Sequence, residues 1–228
     1  MMSAANGSIF LDVEDSGEGP AVIFTHGWAD NRNAWDGVIN YLGPKVRSVS
    51  WSIRGHGKSE APPPGQYTRD HTLGDLKKII PDTTDKVVLA GHSLGGYLSL
   101  AYCLKYPEEV QGLILVAAGP GFRKEETREQ WNLSVTEGAK KMDIPEGSEG
   151  AALHVDSWVI DSLSEIKVPT LVIVGEYDKR FAASMAVFEK YLNVKTSLVV
   201  EGAGHSVHSK KPEAVGEAIQ QFLVDIGA

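Results

Sequence analysis

Val87-Val88-Leu89-Ala90-Gly91-His92-Ser93-Leu94-Gly95-Gly96-Tyr97 is the stretch from which the fold can be read. Val87 to Ala90 is a short apolar run, the mark of a fully buried strand. Gly91 to Gly95 is a G-x-S-x-G pentapeptide. Tyr97, Leu98, Leu100, Ala101 and Leu104 then recur at helical spacing until Pro107 stops them. Ser93 therefore sits on a sharp turn from strand to helix. Glycines at 91 and 95 remove side chains that would clash at its flanks, and the turn lifts Ser93 Oγ clear of the sheet edge. The helix N-terminus behind it offers unpaired N–H groups and a partial positive charge to an incoming anion. A chain this rich in Gly and Ser can produce the pentapeptide by chance; the strand before it and the helix after it make it informative.

The rest of the chain repeats that alternation. Ser8 to Glu14 alternates Ile9, Leu11 and Val13 with Phe10, Asp12 and Glu14, which predicts a half-buried strand. Ala21 to Phe24, Val46 to Ile53, Val110 to Ala118, Val168 to Gly175 and Thr196 to Val200 are further strands. Helical spacing marks Asn33 to Leu42, Tyr67 to Ile80 with Pro81 closing it, Phe181 to Leu192, and Pro212 to Ile226. Strands alternating with helices predict an α/β protein with a mostly parallel central sheet flanked by helices on both faces. Ligands of such sheets bind beyond the carboxyl ends of the strands. The unusual polar clusters of this chain all fall there. With no internal repeat, low-complexity tract or linker, residues 1–228 are expected to form one domain.

The strand, pentapeptide and helix together resemble the nucleophile elbow of the α/β-hydrolase superfamily. The resemblance extends along most of the chain. Arg54-Gly55-His56-Gly57-Lys58-Ser59 is similar to the family's R-G-x-G-x-S loop, although Ser52 stands where an Asp usually precedes that Arg by two residues. Arg54 is expected to be structural. Gly202-Ala203-Gly204-His205, followed by Pro212-Glu213, resembles the family's catalytic-histidine segment.

A serine hydroxyl is a weak nucleophile at neutral pH and needs a base beside it. His205, in the loop after the last strand, is the expected base, with His208 as its rival. The imidazole in turn needs a carboxylate to fix its tautomer. Asp178 follows the Val168–Gly175 strand and is the expected acid; Glu176 is the nearest alternative. The order Ser93, Asp178, His205 is the superfamily's order. The resemblance also implies an oxyanion hole of two backbone N–H groups. Leu94 follows the nucleophile, and Trp28 follows the His26-Gly27 pair that ends an early strand. The Trp28 ring would lie near the substrate. His26, His56, His92 and His205 sit near several strand ends, but no H-E-x-x-H or paired Cys/His spacing accompanies them, so no metal is expected.

Family members usually carry a helical cap between the strands that here end near Gly119 and begin near Lys167. Asp156 to Ile166 is expected to be a sheet-covering helix with Val159, Ile160 and Leu163 inward. That leaves about 121–155, roughly one helix and a loop, as a reduced cap. The charges of Lys124 to Lys141 are expected on its solvated face. Trp131 and Trp158 join Trp28 as expected substrate neighbours. The resemblance implies a serine hydrolase, expected to be a carboxylesterase on small acyl esters that works through an acyl-enzyme and needs no cofactor. Two alternatives come from the same superfamily. One is a lyase similar to menaquinone-pathway relatives, using the triad for proton abstraction. The other is a small-ligand receptor similar to hydrolase-like plant hormone receptors.

Composition narrows the partners. The net charge of −8, with no run of Lys or Arg, argues against nucleic acid and anionic membrane surfaces. Cys103 is the single cysteine, so no internal disulfide can form, and its helical position predicts a core residue. The opening Met-Met-Ser-Ala-Ala-Asn-Gly lacks the regions of a signal peptide, and no apolar run reaches membrane-spanning length, so a cytoplasmic enzyme is expected.

Overall fold

The computed structural model describes residues 9–80 and 86–228. In chain order its elements are β1 (Val13–Ser16), β2 (Ala21–Thr25), α1 (Asp36–Leu42), β3 (Arg47–Trp51), α2 (Arg69–Ile79), β4 (Val87–His92), α3 (Leu94–Lys105), β5 (Val110–Val116), α4 (Glu125–Ala139), α5 (Trp158–Asp161), β6 (Pro169–Gly175), α6 (Ala182–Tyr191), β7 (Asn193–Val200), α7 (Val207–Lys210) and α8 (Pro212–Ile226). The strands form one sheet in the order β1-β3-β2-β4-β5-β6-β7. All neighbours run parallel except β1, which pairs antiparallel with β3.

The continuous apolar runs of the central strands follow from burial on both faces. Ile23, Leu89, Leu113, Leu115 and Val172 point into a core shared with α2, α3, α6 and the 119–167 interval. Val22, Phe24, Val88, Ala90, Ile114, Val116, Leu171 and Ile173 point into a second core closed by α1 and α8. Each strand thus feeds both cores alternately, the geometry a parallel sheet demands. Cys103 lies in the first core, where burial pushes its thiol up to about 12.

Three expectations are corrected. The first strand is not half-buried and does not run from Ile9. Only Val13–Ser16 joins the sheet, and all four residues are exposed. Upstream, Phe10 and Asp12 exchange hydrogen bonds with Glu60, Ser59 and Ser52 instead, so this segment is tied to a loop and only its end reaches the sheet edge. Second, Asp156 to Ile166 is not one helix: α5 is a single turn followed by a 3-10 turn, Leu163–Glu165. Val159 and Leu163 are nevertheless buried, as their spacing requires. Third, Thr68 caps α2 by accepting the His71 N–H, so that helix begins at Arg69 and leaves Tyr67 outside it. Ser8, Pro81 and the opening heptapeptide lie outside the described residues. No helix among the described residues is long and apolar enough to cross a membrane.

Candidate active site

Ser93 sits between β4 and α3 with φ 52 and ψ −112, a conformation that a residue with a Cβ rarely adopts. Among the described residues three non-glycines have positive φ, namely Ala29, Ser93 and Ala117. They follow β2, β4 and β5, so backbone strain collects along one edge of the sheet. Close packing holds it there. A Cβ on Gly91 would stand 2.2 Å from the Gly95 carbonyl carbon, and one on Gly95 would stand 2.2 Å from the Thr25 oxygen. Both obstacles are backbone and cannot swing aside. The Ser93 N–H donates to Val116 O at 2.9 Å, and the Ser93 carbonyl accepts from Gly96 and Tyr97. The Leu94 amide belongs to the first turn of α3, where helix geometry supplies no acceptor.

Asp178 lies in the tight turn after β6, its N–H bonded to Gly175 O at 2.9 Å. Its buried carboxylate accepts from His205 Nδ1 at 2.8 Å and from the Phe181 N–H at 3.3 Å. A carboxylate only accepts, so the proton rests on Nδ1, and Nε2 is left as the basic nitrogen. The Phe181 ring stacks on the imidazole, centroids 4.9 Å apart and 20° between planes. Glu176, the alternative acid, is exposed and accepts the Gly202 N–H at 2.8 Å, bracing the loop that carries His205.

His92, next to Ser93, connects the two halves of the site. Its Nε2–H donates to the His205 carbonyl at 3.0 Å, and the two rings lie 4.8 Å apart. Burial, with His208 and His205 nearby, holds its pKa well below the ordinary value, so it is a neutral donor. His208, the rival base, is fully buried between Trp35 at 4.6 Å and His92 at 4.1 Å. Burial pushes its pKa down to about 4, and its ring faces no carboxylate. The sequence brings up His92 only in weighing a metal site and Phe181 only as the start of a helix; neither is expected beside His205. The only signals were adjacency to Ser93 and a three-residue separation from Asp178.

The loop after β2 is fixed from behind. His26 Nε2 accepts the Ile53 N–H at 2.9 Å, and Nδ1–H donates to Gly27 O at 2.6 Å. Burial and the neighbouring His56 push His26 down to about 3, so it too stays neutral. Trp28 is half-buried and packs over Gly138 of α4, 3.5 Å from a Cβ placed there. In the R-G-x-G-x-S loop, Arg54 is buried and bidentate to Asp75 at 2.7 and 2.8 Å. Ser52 stands in for the usual Asp by donating to Asp12 at 3.1 Å, and Asp12 pairs with Arg32. Among the described residues no three His, Cys, Asp or Glu side chains are grouped to hold a metal ion.

The 119–167 interval lies against this edge. Trp131 of α4 donates Nε1–H to Ala152 O at 3.0 Å, and Asn132 bonds both the N–H and the carbonyl of His154 at 2.9 Å. His154 is enclosed by the rings of Tyr97, Phe122 and Trp131 and is pushed down to about 4 by burial and then by Arg69. Arg69 forks onto Asp156, both bonds 2.8 Å, and reaches Tyr97 Oη at 3.1 Å. This clasp ties the interval to α2 and to α3, the helix that follows Ser93. Trp158 is drawn into the clasp, with the Arg69 guanidinium 4.9 Å above its ring. Ser93, Asp178, His205, Trp28 and Trp131 therefore share one region, and Trp158 borders it through Arg69.

A family model described as alpha/beta hydrolase fold matches residues 20–157. A thermophilic esterase from Thermogutta terrifontis, solved with malate bound, is 26% identical with a TM-score of 0.85, covering 99% of this chain and 97% of that one. An esterase from Exiguobacterium antarcticum superposes with a TM-score of 0.81 at 23% identity, covering 95% of this chain and 96% of that one. A putative 2-succinyl-6-hydroxy-2,4-cyclohexadiene-1-carboxylate synthase of Bacillus subtilis is 25% identical over 257 aligned positions, 92% of this chain and 93% of that protein.

Proposed function

We propose, from the premise that this chain belongs to the α/β-hydrolase family, that it is a serine carboxylesterase acting on small acyl esters. The observation that carries the reading is the 2.8 Å bond from His205 Nδ1 to buried Asp178, in a loop tied by His92 to the strained Ser93 turn. In this reading Ser93 Oγ attacks the ester carbonyl as its proton passes to His205 Nε2. Asp178 keeps the other ring nitrogen protonated and stabilises the imidazolium. The Leu94 and Trp28 amides receive the developing oxyanion. His205 returns the proton to the departing alcohol, then activates a water that releases the acid from Ser93. No cofactor takes part. The segment 121–155 acts as a reduced cap on one catalytic domain, and the similarity to the Thermogutta esterase supports the ester as substrate.

Ser93→Ala tests this directly. Loss of a triad serine removes on the order of 10⁴-fold or more in kcat. The variant should stay folded, lose turnover of 4-nitrophenyl acetate, and no longer react with a fluorophosphonate. Retention of a tenth of the activity would reject Ser93 as nucleophile. A second reading, a lyase in which the same residues abstract a proton, is favoured by the Bacillus synthase relative. Fluorophosphonate labelling without turnover of any ester would move the assignment there.

A further inference from the structure

The chain has seven arginines, and five of them are ion-paired: Arg32 with Asp12, Arg47 with Asp15, Arg54 with Asp75, Arg69 with Asp156 and Arg123 with Asp161. Arg128 and Arg180 have no carboxylate partner among the described residues. They come from separate segments, and Trp131 is a neighbour of each. Arg180 lies two residues past Asp178, next to the Phe181 that stacks on His205, and its guanidinium stands 5.7 Å from the Trp131 ring centroid. Arg128 is one helical turn before Trp131. With Trp131, Val135 and Gly138 it forms a 3-4-3 stripe, and Val135 is buried while Gly138 meets Trp28, so the stripe is the inward face of α4. Arg128 is accordingly half-buried, and its charge acts on both His154 and Asp156. No ion pair joins it to Asp156, whose oxygens accept from Arg69 and from the Trp158 N–H.

Two arginines without an ion-pair partner among the described residues, one a helical turn from Trp131 and the other over its ring and two residues past Asp178, are unexpected in a chain of net charge −8. Guanidinium groups are suited to bidentate recognition of planar carboxylates, and a flanking ring strengthens their hold by excluding water. We propose that Arg128 and Arg180 form an anion subsite at the active-site mouth, so that the preferred substrates are esters bearing a carboxylate a few atoms from the scissile carbonyl. This rests on the ester-hydrolase reading above and adds the substrate class. The carboxylate can belong to the acyl part or to the alcohol part, and both present the same chemistry to the arginines.

The test compares kcat/KM for matched esters. On the acyl side, 4-nitrophenyl hemiglutarate is set against 4-nitrophenyl valerate; on the alcohol side, 4-acetoxyphenylacetate against 4-methylphenyl acetate. At low ionic strength at least one charged member should be favoured about tenfold, as expected for a charge-assisted bond at a partly exposed site. The preference should shrink severalfold at about 0.5 M salt, where screening acts within a few ångströms. The net negative charge of the protein disfavours anions, so such a preference needs a local source. The ratio within each variant is the readout, which cancels any general change in rate. Arg128→Gln and Arg180→Gln should each lower it, and the double variant should bring it to one or below. Arg123→Gln, which removes a paired arginine, should leave it unchanged. Ratios at or below one for both pairs, or a preference that survives in the double variant, would overturn the proposal. Should no ester be turned over, the esterase reading fails separately, and glutarate titrated into Ser93→Ala by calorimetry decides the subsite. Binding that the double variant loses supports it; no binding overturns it.

Discussion

Replacing Asp178 by Asn changes one side-chain oxygen to an amide nitrogen in a buried position, and its consequence can be worked from the two hydrogen bonds the carboxylate accepts. The carboxylate accepts from His205 Nδ1 at 2.8 Å and from the Phe181 N–H at 3.3 Å, so both of its bonds need acceptors. Asparagine has one acceptor and one donor. If its oxygen stays on the Phe181 amide, its NH₂ faces Nδ1, and the imidazole proton must move to Nε2. That tautomer cannot take a proton from Ser93. The other amide orientation restores the tautomer but sets NH₂ against N–H in a buried turn, which costs about 2 kcal/mol. The charge is lost as well. A carboxylate stabilises an imidazolium about 4 Å away by roughly 4 kcal/mol at an effective dielectric of about 20. The two effects together come to about 6 kcal/mol, or roughly a 10⁴-fold fall in kcat/KM. The assay is initial-rate hydrolysis of 4-nitrophenyl acetate, alongside thermal unfolding to show that Asp178→Asn remains folded. Glu176→Gln, which touches only the Gly202 amide, should lose less than about threefold. An Asp178→Asn enzyme with more than a tenth of the activity, or a Glu176→Gln enzyme with the large loss, would refute the reasoning.

Other outcomes follow from the same geometry. With 121–155 read as a reduced cap, kcat/KM for 4-nitrophenyl esters should rise about fourfold per methylene, at about 0.8 kcal/mol each, and stop rising by about six carbons; a steady climb to dodecanoate would show a long covered channel. Gly91→Ala should destabilise the fold by about 3 kcal/mol and abolish activity, because its Cβ meets backbone at 2.2 Å, whereas Gly74→Ala has open space and should be tolerated; urea unfolding of both variants checks this. Buried His26, held near 3, and His154 and His208, held near 4, all titrate below the usual 6.5. The unfolded chain therefore takes up those protons first. The stability they contribute is complete above about pH 6.5 and falls as pH drops toward 4, by about 1 kcal/mol per pH unit for each. Urea midpoints should decline steeply from pH 6.5 to 5, and a flat profile would contradict the assignment of these rings as neutral.

The strand-to-helix turn at Ser93 and the two-sided burial of the central strands are legible in the sequence. Each depends on neighbours within a few residues: an apolar run, a helical period, or a glycine where a Cβ has no room. The alternation predicts a longer first strand than the one present, because an edge position and a tether to the 52–60 loop are not written in it. Which acid meets which histidine also needed the fold. Asp178 and His205 are 27 residues apart, and they meet because β6 and β7 are adjacent and their turns face each other. Sequence put Glu176 and His208 within two or three residues of those positions, too close for pattern alone to separate. The tertiary structure separates them by side-chain direction, turning Glu176 to the Gly202 amide and burying His208 between two rings. The same holds for Ser52, whose missing carboxylate arrives from Asp12, and for Arg128 and Arg180, which look like ordinary surface charges until α4 is laid beside the Asp178 turn. Local patterns determine the elements of this protein. Its chemistry depends on which strand ends are neighbours, and long-range packing decides that.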